Sequence, residues 1–171
     1  MGRDTRATLF TLLLLGICIL LQSTLLSRLP LGGARPDLAL IVLVYVSVRR
    51  GSMVGQVSGF VSGLFEDFMS VAPLGFHPLM KTIIGYLYGI FSGNMFLDPV
   101  FMPMILTIVA TLLKGLLSGI VSSIFGIEAS GFLYFRGRLW IELAFNTVLS
   151  PFLFALLGLF KVLKPSDKEG A

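Results

Sequence analysis

The chain has 171 residues, of which 56% are apolar and only 13% charged, about half the charged share of an ordinary soluble domain. With a mean hydropathy of +0.94, this excludes a soluble single-core enzyme and a disordered tail, because a water-soluble fold of this size lacks the polar surface to cover so many apolar side chains. The net charge of +4 comes mainly from residues at the edges of apolar stretches, where it reports orientation in a bilayer and offers no basic face to nucleic acid. The class is an all-α integral membrane protein. Spans of about 20 residues use up the chain and leave nothing for a separate soluble domain.

In chain order, Arg3 and Arg6 precede a first span over about residues 7–26. No small-x-small cleavage site follows, so the segment reads as an uncleaved anchor. Cys18, the single cysteine, lies inside it and reads as a small buried hydrophobe. After Pro30, Gly32, Gly33, Arg35 and Pro36, a short second span covers 37–48 and ends at Arg49, Arg50 and Gly51. Span 3 covers 52–71 and carries Glu66 and Asp67 near its end. Span 4 covers 76–97 with His77 and Lys81, and Asp98-Pro99 breaks it. Span 5 covers 100–124 with Lys114 near its middle. A connection with Glu128, Arg136 and Arg138 leads to span 6 over 139–160 and a polar tail. The expectation is one domain over 1–171, a single bundle of six transmembrane helices.

An even span count puts both termini on one side, together with Arg49, Arg50 and the tail lysines Lys161, Lys164 and Lys168. Arg28, Arg35, Arg136 and Arg138 fall on the other side, so the positive-inside bias places both termini in the cytoplasm. Phe132, Tyr134, Phe135 and Trp140 cluster before span 6 as an interfacial aromatic belt.

Glycine spacing is the clearest pattern. Gly51, Gly55, Gly59 and Gly63 recur every fourth residue in span 3, and Gly85, Gly89 and Gly93 in span 4, with Gly115 and Gly119 in span 5. A four-residue step keeps these positions on nearly one helix face, where the missing side chains let another backbone approach closely in lipid. Two readings follow, close packing inside the monomer and a docking face for another chain's helix, and both can hold at once.

Ionisable residues inside spans are costly and are functional candidates. Asp67 and Lys81 lie near the same end of spans 3 and 4, within reach of one another if the lysine stem extends upward. The competing reading has Glu66 and Asp67 marking the interface, and for Glu66 that reading is adopted. A second expected contact joins Lys114 to Asn146 or Glu142, four residues apart on one face of span 6, with Asn146 nearer in depth; the alternative is a lysine snorkelling to a lipid phosphate. The one histidine, His77, reads as interfacial, and one histidine makes no metal site. There is no Ser/His/Asp or Cys/His set and no phosphate-binding Gly-Lys-Ser loop. Asp98 and Glu128 fall on opposite sides of this topology and form no acid–base pair. No cofactor or metal is expected.

The stretch Arg35-Pro36-Asp37-Leu38, the apolar run to Tyr45, then Gly55, Gly59-Phe60-Val61, Gly63, Asp67, Leu74-Gly75, Leu79 and Ile84-Gly85-Tyr86-Leu87 resembles the MreD family of rod shape-determining membrane proteins. Asn146 through Pro151 is similar to the family's last span, and the aspartate four residues after the last ladder glycine argues for a buried role of Asp67. The resemblance implies a non-catalytic scaffold of the bacterial elongation machinery in the cytoplasmic (inner) membrane, with a fold similar to energy-coupling-factor S-components. It implies partnership with MreC, through it with MreB, and with RodA and a class B penicillin-binding transpeptidase. A homodimer is compatible with it. Asp67, Lys81, Tyr86, Asn146 and Pro151 are the positions at which it implies structural or binding roles.

The alternative is an S-component-like subunit that binds a small molecule such as a vitamin for uptake. An Ala-x-x-x-Ala docking motif in span 1 would favour it, and here Ala7 is followed by Thr11. A small channel is a third reading, but no ring of like charges is legible.

Overall fold

The computed structural model describes residues 3–24, 35–70, 72–93, 100–124, 126, 137–160 and 163. These residues form six α-helices and no strand: α1 (Arg3–Thr24), α2 (Leu38–Arg50), α3 (Ser52–Met69), α4 (Phe76–Ile90), α5 (Phe101–Ile124) and α6 (Leu139–Gly158). Two of them, α5 and α6, are by themselves long and apolar enough to cross a membrane.

Consecutive helices alternate in direction. At one end, Phe10 near the start of α1 meets Phe160 just beyond α6, with ring centroids 5.3 Å apart. At the same end Tyr45, late in α2, packs edge-on against Phe154 at 5.1 Å. At the opposite end, Gln22 of α1 accepts the N–H of Leu38, which opens α2.

Helix α2 is the axis of the bundle and touches each of the other five helices. Its run Leu38-Ala-Leu-Ile-Val-Leu-Val-Tyr-Val is apolar on every face, the pattern of a helix surrounded by protein, and residues Ala39 to Val48 are all buried. Asp37 caps it by accepting the Leu40 N–H at 2.8 Å. Gly51, with φ +87°, ends it and at once begins α3, a conformation that costs glycine nothing. Thirteen residues rise about 20 Å, some two-thirds of a bilayer's hydrocarbon thickness.

Helices α3 and α4 make the most intimate pair, and the glycine spacing explains it. A Cβ on Gly55 would overlap the Gly85 carbonyl, and one on Gly85 the Gly55 carbonyl. Gly59 lies against the Lys81 carbonyl, Gly63 against Pro78, and Gly89 against Ser52. The glycine face is therefore filled by the chain's own backbone. Gly51 and Gly93 belong to the fourfold spacing but serve as turns: both have positive φ, +87° and +84°, and open space where a Cβ would stand, while the Gly51 backbone lies against Gly89. Gly93 closes the turn after α4, so that helix stops at Ile90, short of the span to 97 expected from hydrophobicity; residues 94–97 lie outside the described residues. Gly115 of α5 is packed by the side chain of Leu139 at the start of α6.

Candidate functional site

Four charged side chains, one from each of α3, α4, α5 and α6, converge on Asp37 at the start of α2. Asp37 Oδ2 accepts from Lys114 Nζ of α5 at 2.6 Å, and its Oδ1 stands 3.5 Å from Lys81 Nζ of α4. Lys81 in turn donates to Glu66 of α3 at 2.5 Å, and Lys114 to Glu142 of α6 at 2.7 Å. The result is an alternating chain, Glu66–Lys81–Asp37–Lys114–Glu142, that runs through five helices. Neutral groups complete it. The Asp37 N–H donates to Asn146 Oδ1 at 2.8 Å, and Asn146 Nδ2 donates to Thr111 Oγ1 at 3.1 Å. Through Gln22 and the Leu38 N–H at 3.1 Å, α1 joins as the sixth helix.

The cluster is dry. Lys81 is 1% exposed and the Asp37 side chain 2%, against 12% for Glu66 and 14% for Lys114. Charges so placed attract strongly across a low local dielectric. They cost more than an apolar substitute unless every partner is present, and their attested benefit is to select one arrangement of the elements. Here that arrangement is the meeting of all six helices around Asp37.

A second polar pair sits one turn away. Asp67 Oδ1 accepts from the His77 backbone N–H at 3.1 Å and lies 2.6 Å from His77 Nδ1, while Oδ2 accepts the Gly75 N–H at 2.6 Å. The carboxylate thereby satisfies N–H groups at the start of α4 that have no partner within the helix. Pro78 sits in this first turn, where its missing N–H removes only a group that would be unpaired anyway.

The geometry corrects the sequence reading in several places. Lys81 pairs with Glu66 and Asp37, not with Asp67. Glu66 belongs to the cluster and is not a mere interfacial marker, and His77 turns inward to Asp67 with its side chain 21% exposed. Asp37, central to the arrangement, is legible in sequence only as part of the Arg-Pro-Asp-Leu start of α2. Lys114 does meet Glu142, whereas Asn146 serves the Asp37 N–H and Thr111. Trp140 is exposed on α6. Asp98, Glu128, Phe132, Tyr134 and Phe135 lie outside the described residues. No group of three metal-ligating side chains occurs among the described residues.

A cleft of about 230 Å³ opens beside the cluster, at the end of the bundle away from Phe10 and Phe160. Its polar walls include Gln22, Arg35, Asp37, Glu66, His77 and Lys114, and Ile19 and Met69 add apolar surface.

With this geometry in place, comparison with known proteins gives one finding: the family model for rod shape-determining protein MreD matches residues 3–160. No curated protein and no solved structure matches the chain.

Proposed function

The chain belongs to the MreD family of rod shape-determining membrane proteins, and from that premise we propose that it is a non-catalytic scaffold of the cell-elongation complex. In this reading six antiparallel helices cross the cytoplasmic membrane with both termini inside. The fold is similar to that of energy-coupling-factor S-components. The chain holds MreC, and through it MreB, against the wall-building pair of RodA and a class B penicillin-binding transpeptidase.

The observation that carries this reading is the family match over nearly the whole chain. The ion chain supports it physically. It draws charged side chains from five helices into one internal junction, which suits a body that must keep its outer faces in fixed relation while partners dock on them. With the α3–α4 glycine face filled internally, the surfaces left for partners are the outward stripes. These include Phe101, Ile105, Val109, Leu112 and Leu116 on α5.

The test is depletion in a rod-shaped host, with morphology and pull-down of MreC measured together. Loss of rod shape with intact co-purification of MreC by the parent chain is expected. Cells that keep their shape but lose uptake of a vitamin would overturn the scaffold in favour of an uptake subunit.

A further inference from the structure

We propose that the cleft beside Asp37 binds a compact zwitterionic headgroup, an oxyanion and an ammonium a few bonds apart, supplied by a lipid of the phosphatidylethanolamine kind. The inference goes beyond the scaffold reading and takes from it only the placement in a bilayer, which alkaline carbonate extraction checks separately.

Two wall groups retain capacity for a ligand. Arg35 is exposed, and among the described residues no carboxylate pairs with it. Its guanidinium is a fork of donors suited to a phosphate. Glu66 engages Lys81 through Oε1, and a carboxylate has lone pairs for further donors, so it can take an ammonium. Asp37 differs, since both of its oxygens are already occupied by Leu40, Lys81 and Lys114. The cleft thus offers one cationic and one anionic position in the same space.

Depth selects the source. Gln22, which reaches the start of α2 beside the cluster, lies about 28 Å along α1 from Arg3 at the opposite end, so the cluster sits near the far surface of a roughly 30 Å hydrocarbon layer. The wall turns apolar at Met69, itself half-exposed, and Phe68, outside the cleft, is also exposed. Acyl chains can lie there while the headgroup enters, an arrangement with no advantage for a soluble zwitterion.

The test uses the full chain purified in mild detergent, incubated with phosphatidylethanolamine or phosphatidylglycerol, and read by native mass spectrometry. The two lipids share the phosphodiester and differ in the ammonium. Retention of the ethanolamine lipid about tenfold above the glycerol lipid is expected, the scale of one charge-assisted contact. Glu66→Gln should erase that preference, and Arg35→Gln should lower retention of both lipids. Because Glu66 also holds Lys81, Met69→Trp provides a variant that fills the cleft without touching the ion chain; it should reduce retention with the melting temperature unchanged. Equal retention of the two lipids by the parent chain overturns the proposal, as does parent-level retention by both Arg35→Gln and Met69→Trp. Soluble phosphoethanolamine binding with no lipid retained overturns the lipid source, whereas lipid retention that it does not displace supports it.

Discussion

Asp37 Oδ2 lies 2.6 Å from Lys114 Nζ, tying the residue that caps α2 to the middle of α5, 77 positions along the chain. The carboxylate is the single anion between two lysines, since Lys81 stands on its other side at 3.5 Å. Asp37→Asn keeps an oxygen to cap Leu40 but leaves both ammoniums without their shared counter-charge. Lys81 keeps Glu66 and Lys114 keeps Glu142, so the loss should fall below about 3–5 kcal/mol, the cost of a buried charge left with no partner. Asp37→Ala also removes the cap and should cost about 1 kcal/mol more. Thermal unfolding in detergent should rank the chains parent, Asn, Ala in falling stability. Equal stability of parent and Asn variant would mean that the ion chain does not hold the helices.

The glycines of α3 and α4 separate into those that pack and those that turn. Gly59→Ala drives a methyl into the Lys81 carbonyl, backbone that cannot move aside, and should cost about 1–3 kcal/mol or more by overpacking. Gly16, mid-helix in α1, has nothing within 4 Å of the position a methyl would take. Gly16→Ala should therefore be neutral or stabilising by about 0.5–1 kcal/mol through helix propensity. Melting temperatures of the two variants should move in opposite directions, and a parallel loss would contradict the assignment of the close contact to α3 and α4.

Which parts of this are legible in the sequence follows from periodicity. Fourfold glycine spacing names a helix face, and that face does meet α4 along Gly55, Gly59 and Gly63. The same spacing leads to Asp67 as the next rung, which arrives at the beginning of α4 and caps it. Glu66 is one residue earlier, about 100° around the helix, and so faces the bundle axis and Lys81 instead. A choice between adjacent carboxylates therefore turns on a rotation that hydrophobicity alone does not fix. Asp37 is harder still. Its partners lie on α4 and α5, and nothing local in Arg-Pro-Asp-Leu distinguishes a capping aspartate from the centre of an ion chain. The central place of α2 is hidden for a related reason, because its uniformly apolar run has no polar face to orient it.

Asp67 provides a check on that distinction. Asp67→Ala leaves the Gly75 and His77 N–H groups without the acceptor they share and should destabilise by about 1–2 kcal/mol, as for the loss of a helix cap. Asp67→Asn keeps one accepting oxygen and should lose less. Glu66→Gln, by contrast, acts on Lys81 and should couple with Lys81→Met in a double-mutant cycle, while Asp67→Ala should add independently to Lys81→Met. Strong coupling of Asp67 with Lys81 would restore the pairing that the geometry replaces.

The last helix carries its own compensation. Pro151 has no N–H, so the carbonyl of Thr147 four residues earlier loses its helical donor. Ser150 Oγ donates to that carbonyl at 2.9 Å, and Ser150 is itself buried. In a bilayer a freed carbonyl has no water to turn to, which is why neighbouring hydroxyls take up this role beside prolines. Ser150→Ala should cost about 1–2 kcal/mol in the parent chain, the range for leaving a buried acceptor unpaired. In a Pro151→Ala background the backbone N–H returns and the same substitution should cost almost nothing. A double-mutant cycle on unfolding free energies in detergent should give a coupling of about 1 kcal/mol. A coupling of zero would mean that the hydroxyl and the proline act on α6 separately.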